Sequence, residues 1–213
     1  MTAWLSAVHA EHEIDMVVAN AGVSEATCGT RNDPARAARV VLPINITGVM
    51  NTVVPLIDAF KARGSGQIVI VSSLASFGPL TGSSSYSASK SAIKVWGEAL
   101  RTELACFGVN VNVVCPGFVR SPMTAVNKFP MPGLIGMDEA VRCIRAGLVA
   151  DLPVIAFPSS TYCLAELMSA LPATARDAAA RFGILPGAYF YRKKPRASRG
   201  SAATAGAASG KTD

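Results

Sequence analysis

Tyr86 and Lys90 stand four residues apart in "SSSYSASKSAIK", residues 83–94. On a helix that spacing puts both side chains on one face, about a turn apart. An ammonium beside a phenol favours the phenolate and draws its pKa down from about 10. A tyrosine tuned in this way can give a proton to a carbonyl oxygen or take one from an alcohol. Taken alone, the pair fits a solvated helix face equally well. Ser73 shifts the balance, because it ends the apolar run of "QIVIVSS" and its hydroxyl would project from the carboxyl end of a strand. There it could hold a substrate oxygen beside Tyr86. Ser72, Ser83, Ser84 and Ser85 compete for that role, with spacing in favour of Ser73; a turn or cap serine is the alternative.

These groups need elements to position them. Four short apolar runs, Ile14–Ala19, Gln67–Val71, Val109–Val114 and Pro153–Ala156, read as buried parallel strands. Helical character fills the intervals. Residues 36–63 form a long apolar-rich segment, with Pro43 near a turn and Pro55 at a kink. Ser87–Phe107 is the clearest helix, since Ile93, Trp96, Leu100 and Leu104 recur at three- and four-residue steps and Gly108 follows as a stop. Asp138–Val149 and Thr161–Leu171 are two more. Strands alternating with helices predict an α/β fold of three layers, with a mostly parallel sheet between helices. The segments "NAGVS", "SSLASFG" and "CPGFVRS" then lie at the carboxyl ends of strands, where open sheets of this kind bind ligands.

Composition narrows the function. Half of the 213 residues are hydrophobic and 16% are charged, enough for a sizeable core. The net charge of +6 sits mostly in the last 22 residues, and residues 1–191 carry 14 basic and 13 acidic groups. A nearly neutral body gives no reason to expect a nucleic-acid face. The five cysteines are scattered with no CxxC pair, which speaks against a disulfide framework or metal site and for a reducing, cytoplasmic setting. Residues 1–10 lack the features of a signal peptide. The apolar stretch 152–171 is broken by Pro153, Pro158 and Glu166 and falls short of a membrane span. The expected organisation is one domain over residues 1–191, followed by a basic low-complexity tail over 192–213. That tail is expected to be solvated, with contact to acidic lipid as the alternative.

In order and spacing, the motifs resemble the short-chain dehydrogenase/reductases. They are "NAG" at 20–22, "NITG" at 45–48, "GQIVIVSSLAS" at 66–76, "YSASK" at 86–90, "EL" at 103–104 and "PGFVRSPM" at 116–123. The resemblance implies a Rossmann-like fold and an NAD- or NADP-dependent oxidoreductase that interconverts a carbonyl and an alcohol. Tyr86 would be the general acid/base and Ser73 would orient the carbonyl. Lys90 would tune Tyr86 and bind the nicotinamide ribose. Asn45 would hold a water on a proton path. Asn20, Ala21 and Gly22 would line the adenosine side, Pro116 and Gly117 would turn beneath the nicotinamide, and Ser121 would meet its carboxamide. Residues 121–136, with Met123, Phe129, Met131 and Leu134, fall where the family has a mobile loop over the substrate, and suit a hydrophobic one.

The family's opening strand and TGxxxGxG turn, whose backbone approaches the pyrophosphate, have no counterpart before Ile14. The expectation is therefore a sheet without the family's first three strands, with the strand at Ile14–Ala19 as an exposed apolar edge. Activity of the 213-residue chain is expected to be impaired. The alternative is a non-catalytic fragment that dimerises with a full-length relative through residues 36–63 and 87–107. A full-length form is expected to be a homodimer or homotetramer.

Overall fold

The computed structural model describes residues 2–127 and 129–181; the 192–213 tail and the domain division before it lie outside them. Helix α1 (Thr2–His12) leads into β1 (Met16–Ala19). A loop then reaches α2 (Pro34–Leu42), a π-helical turn (Pro43–Thr47) and α3 (Gly48–Arg63). Next come β2 (Gly66–Val71), a short 3-10 turn (Leu74–Phe77) and the 22-residue α4 (Ser84–Ala105). The chain continues through β3 (Val109–Pro116), α5 (Pro122–Ala125), α6 (Met137–Val149), β4 (Val154–Phe157), α7 (Ser159–Ala170) and α8 (Ala173–Arg181). The four strands pair in the order β1-β2-β3-β4, all parallel.

Residue alternation along the strands divides the core in two. Ile68, Ile70, Val109 and Val111 face Val49, Val53, Leu56, Phe60, Ile93 and Leu100 of α3 and α4. Val69, Val114, Ile155 and Phe157 face Ala140 and its neighbours on α6. Helices thus cover both faces of a parallel sheet, which explains why the strands read as continuous apolar runs. By length and composition alone the helical run Pro34–Arg63 could also cross a membrane. In this fold Val41, Val49, Val53, Leu56 and Phe60 of that run are buried in the core, while Ile44 and Val54 are exposed.

Strand and helix ends differ from the expected ones for local reasons. Ile14 is held in the turn, its N–H donating to His9 Nδ1 and its carbonyl accepting from Arg63, so β1 starts at Met16. Pro153 has no N–H; its carbonyl accepts from Val113 and β4 begins one residue later. The long segment 36–63 divides at Pro43, where the missing N–H favours the π-helical turn, whereas α3 runs on through Pro55. Helix α4 stops before Gly108, whose φ of 70° is the left-handed conformation that suits glycine. The alanine-rich α8 was not expected. Strand β1 pairs on one side only among the described residues, and Met16 and Val18 are 43% and 51% exposed. This is the apolar edge anticipated from the sequence.

Helix α4 approaches the sheet at Gly97, where a Cβ would lie 2.7 Å from Val113 Cγ2 and 3.0 Å from Ile70 Cδ1. Both neighbours are β-branched and fully buried, so they have little room to yield. Gly97→Val is expected to destabilise the fold by about 3 kcal/mol through overpacking, read as a lower midpoint in urea unfolding with an unchanged slope.

Candidate active site

The carboxyl ends of β1, β2 and β3 bring the candidate residues together. Ser73 follows β2 in extended backbone and caps the 3-10 turn, its Oγ accepting the Ala75 N–H at 3.1 Å. The same serine therefore caps the turn and faces the Tyr86 phenol. Accepting that bond leaves its hydroxyl proton for another acceptor, either the Pro116 carbonyl at 3.4 Å or the Tyr86 phenol. Tyr86 lies in the first turn of α4, half-buried. Burial pushes its phenol above the ordinary 10, the Ser73 hydroxyl pulls it down, and the negative charge of Glu25 pushes it up again.

Lys90, one turn further, has its ammonium 5.8 Å from the centre of the Tyr86 ring. It is buried and donates to the Val71 carbonyl at 2.7 Å. Burial lowers its pKa from 10.5 to about 8. A lysine carries three donors, and Lys90 meets one acceptor among the described residues. The remaining two suit a diol such as a ribose. Helix α4 is fixed to β2 from the other direction by Ser72 Oγ, which donates to the Lys90 carbonyl at 2.8 Å.

Asn45 occupies the π-helical turn and is fully buried. Its Oδ1 accepts the Val23 N–H at 2.8 Å, while Nδ2 donates to the Val23 carbonyl and to Ser89 Oγ, both at 2.9 Å. Both amide donors are committed to protein, so the side chain ties the loop after β1 to α4. A water path cannot use those N–H groups without breaking these bonds. Asn45→Ala strands both backbone groups of Val23 and is expected to cost about 3 kcal/mol, visible as a drop in thermal unfolding temperature. Gly22 completes this corner. A Cβ there would lie 3.2 Å from Asn45 Oδ1 and 3.3 Å from Lys90 Nζ, and only glycine leaves that approach clear.

The other expected positions separate. Asn20 and Ala21 are exposed at the end of β1. Pro116 closes β3, and the Gly117 N–H donates to the Phe157 carbonyl at 2.7 Å. Ser121 caps the start of α5, its N–H donating to Thr124 Oγ1 at 2.9 Å. Gly117 and Thr124 line the cavity in front of Tyr86, and Ser121 is not among its lining residues. That cavity holds about 290 Å³. Its wall includes Ser73, Tyr86, Leu74, Phe77, Phe118, Met123 and Phe129. Of the four apolar residues expected over the substrate, Met123 and Phe129 line this cavity; Met131 and Leu134 do not, and Leu134 is exposed.

Sequence spacing missed Glu25, Arg31, Leu164, Met168 and Arg176. The last three come from α7 and α8 and close the cavity from the far side. Only the tertiary fold relates them to Tyr86. Cys115 is buried on β3, and burial pushes its thiol up to about 11; it packs and is not a reactive thiolate. Among the described residues no cluster of His, Cys, Asp or Glu could hold a metal.

The short chain dehydrogenase profile matches residues 2–129. The chain belongs to the short-chain dehydrogenase/reductase family. Among curated members, an uncharacterized oxidoreductase of Myxococcus xanthus is 38% identical over 168 residues, covering 79% of this chain and 66% of its own length. An acetoacetyl-CoA reductase of Rhizobium meliloti is 30% identical over 142 residues, 62% of this chain and 58% of its own. The chain thus spans just under two thirds of the Myxococcus relative. A short-chain dehydrogenase from Burkholderia cenocepacia, solved in complex with NADP, superposes with a TM-score of 0.70 at 26% identity, covering 87% of this chain and 77% of that one. In this family frame β1, β2 and β3 fall within the motif span of residues 14–124, and β4 follows it. None of them is followed by a TGxxxGxG turn.

Proposed function

We propose that the chain carries the proton-transfer and nicotinamide-ribose side of an NAD- or NADP-dependent oxidoreductase acting on a carbonyl/alcohol pair. The observation that supports this best is that Ser73 and Tyr86 meet on the wall of one apolar cavity, with the Lys90 ammonium 5.8 Å from the Tyr86 ring centre. The residues present fit half of a dinucleotide. Lys90, buried, and Tyr86, half-buried, offer donors to ribose hydroxyls, and Gly22 keeps the corner between Asn45 and Lys90 open. The described strands provide no glycine-rich turn for a pyrophosphate.

When bound, the nicotinamide ring supplies or accepts the hydride at the substrate carbon. In reduction, Ser73 donates a hydrogen bond to the carbonyl oxygen and holds it against the Tyr86 hydroxyl. Tyr86 gives its proton to that oxygen as the carbon gains the hydride, leaving a phenolate and an alcohol. Lys90 stabilises the phenolate by its charge, and a proton from solvent restores the phenol. Oxidation runs the same steps backward. The apolar wall excludes water from this exchange.

The cavity suits an apolar carbonyl compound. Arg31 and Arg176 are the charged side chains that line it, and they favour a substrate bearing an acidic group away from its carbonyl. The test is a panel of medium-chain ketones, neutral and carboxylated, offered to the 213-residue protein with NADPH or NADH. Oxidation of either cofactor that depends on the ketone, faster with the carboxylated set, supports the proposal. No ketone-dependent oxidation with any of them sinks it.

A second mode of action, assembly with another copy or a full-length relative, is favoured by Val54 on α3 and Val95 on α4, 52% and 63% exposed. Light scattering at micromolar concentration separates the two, since a stable monomer removes assembly.

A further inference from the structure

Helix α4 carries the catalytic pair, yet its start lacks the usual local support. Ser83 at the N-cap makes no side-chain capping bond, and the first turn holds no acidic residue. The acceptor comes from 61 residues away: Glu25 Oε1 takes the backbone N–H of Tyr86 at 3.0 Å. Glu25 is 3% exposed. Its second oxygen, Oε2, is buried without a hydrogen-bond partner. A carboxylate placed this way costs desolvation and leaves a lone pair unused, and nothing in the proton transfer described above requires it. Its backbone is fixed too, because the Glu25 carbonyl accepts the Thr30 N–H at 2.9 Å and the Asn45 bonds hold Val23 two residues earlier.

We propose that Glu25 is a positioning residue for Tyr86, capping α4 at the tyrosine's own amide and setting the electrostatic field on its phenol. The inference rests on Tyr86 being the proton-transfer group. An anion at the N-terminus of a helix is favoured by the helix dipole, which helps to hold the charge in place. The same anion disfavours a phenolate nearby and so opposes Lys90. Around the phenol, α4 contributes Lys90, the loop after β2 contributes Ser73, β3 contributes Cys115, and the loop after β1 contributes Glu25. Behind Glu25, Arg31 and Asp33 share the wall of a neighbouring hollow. Glu25 is thus the carboxylate of this set that meets Tyr86 directly. It adds to burial, the larger cause, in keeping the tyrosine in its protonated, donating form, while Ser73 and Lys90 lower the cost of releasing the proton. The site rests in the form that can donate a proton to a carbonyl.

The experiment reads the phenol itself and needs no turnover. Tyrosine labelled with carbon-13 at Cζ is introduced into the 213-residue protein, which has four tyrosines. Tyr86→Phe assigns the resonance, and its titration midpoint is followed in Glu25→Gln, Glu25→Asp and Asp33→Asn. Glutamine keeps an acceptor for the Tyr86 N–H but removes the charge. Aspartate keeps the charge and withdraws it. The expected order of Tyr86 midpoints is wild type highest, Glu25→Asp lower and Glu25→Gln lowest, with Asp33→Asn equal to wild type. A Glu25→Gln midpoint equal to wild type in a folded protein would overturn the proposal. A midpoint in Glu25→Asp at or below that of Glu25→Gln would also overturn it. Loss of hydride transfer in other assays would leave this titration unaffected, so failure of the enzymatic assignment and failure of the Glu25 assignment are told apart.

Discussion

Tyr86→Phe is expected to lower ketone-dependent cofactor oxidation by about 10³-fold, because a positioned proton donor contributes roughly 10²–10⁴-fold to such a step. Phenylalanine keeps the ring against the cavity and removes only the hydroxyl, so binding of an apolar ligand changes little. The loss belongs to the chemical step and appears in kcat rather than in KM. Ser73 then faces a hydrocarbon edge in place of the phenol oxygen it meets in the native site. The fold survives, since the Tyr86 backbone N–H joins α4 to Glu25 and its carbonyl accepts from Ser89 within the helix, and both bonds remain. A circular dichroism melt alongside the kinetics checks that point. An equal fall in kcat and melting temperature would mean that the residue acts through structure.

Lys90→Met has the second largest expected effect, about 10²-fold on kcat/KM. It removes both the charge that favours the phenolate and the donors available to a ribose. The pH dependence follows from the lysine itself. With a pKa of about 8 in the folded protein, the ammonium is present below pH 8 and lost above it. Carbonyl reduction by the native chain is therefore expected to fall above about pH 8, and Lys90→Met to lose that limb while running at its low level throughout.

Stability moves in the opposite direction. A lysine whose folded pKa lies below its unfolded 10.5 binds fewer protons when folded over the window from about 8 to 10.5. Its contribution is thus unfavourable below pH 8, by an amount on the order of 3 kcal/mol, and is relieved as pH rises through that window. Lys90→Met leaves the Val71 carbonyl without this donor, an opposing cost of about 1 kcal/mol. At pH 7 it is expected to melt no lower than the native protein. A variant that loses activity without losing stability is the mark of a charge kept for function.

The fold was legible in the sequence to the extent that it depends on local pattern. Unbroken apolar runs flanked by polar turns gave the four strands, and the three- and four-residue spacing of Ile93, Trp96, Leu100 and Leu104 gave α4. Helix α8 escaped because "ATARDAAAR" carries little apolar periodicity; alanine propensity rather than an apolar stripe makes it helical. The candidate site was legible in position where its parts repeat a known order of motifs, as Ser73, Tyr86, Lys90 and Asn45 do. Asn45 shows the limit of that kind of inference. Its position was foreseen, while its side chain proves to be a brace between Val23 and Ser89. Glu25 was hidden for a different reason. Its contact with Tyr86 spans 61 residues and depends on the loop after β1 folding over the start of α4, which no spacing within either segment encodes.

The central claim is that Tyr86 delivers a proton while a hydride reaches the same carbonyl. The most direct test incubates the 213-residue protein with a nicotinamide cofactor deuterated at C4 and a medium-chain oxo acid, at saturating concentrations, and reads the alcohol by mass spectrometry. One deuterium at the carbinol carbon, formed by the native chain and missing with Tyr86→Phe, is the expected result. Unlabelled or absent alcohol from the native chain, or equal labelling by the two proteins, would contradict it.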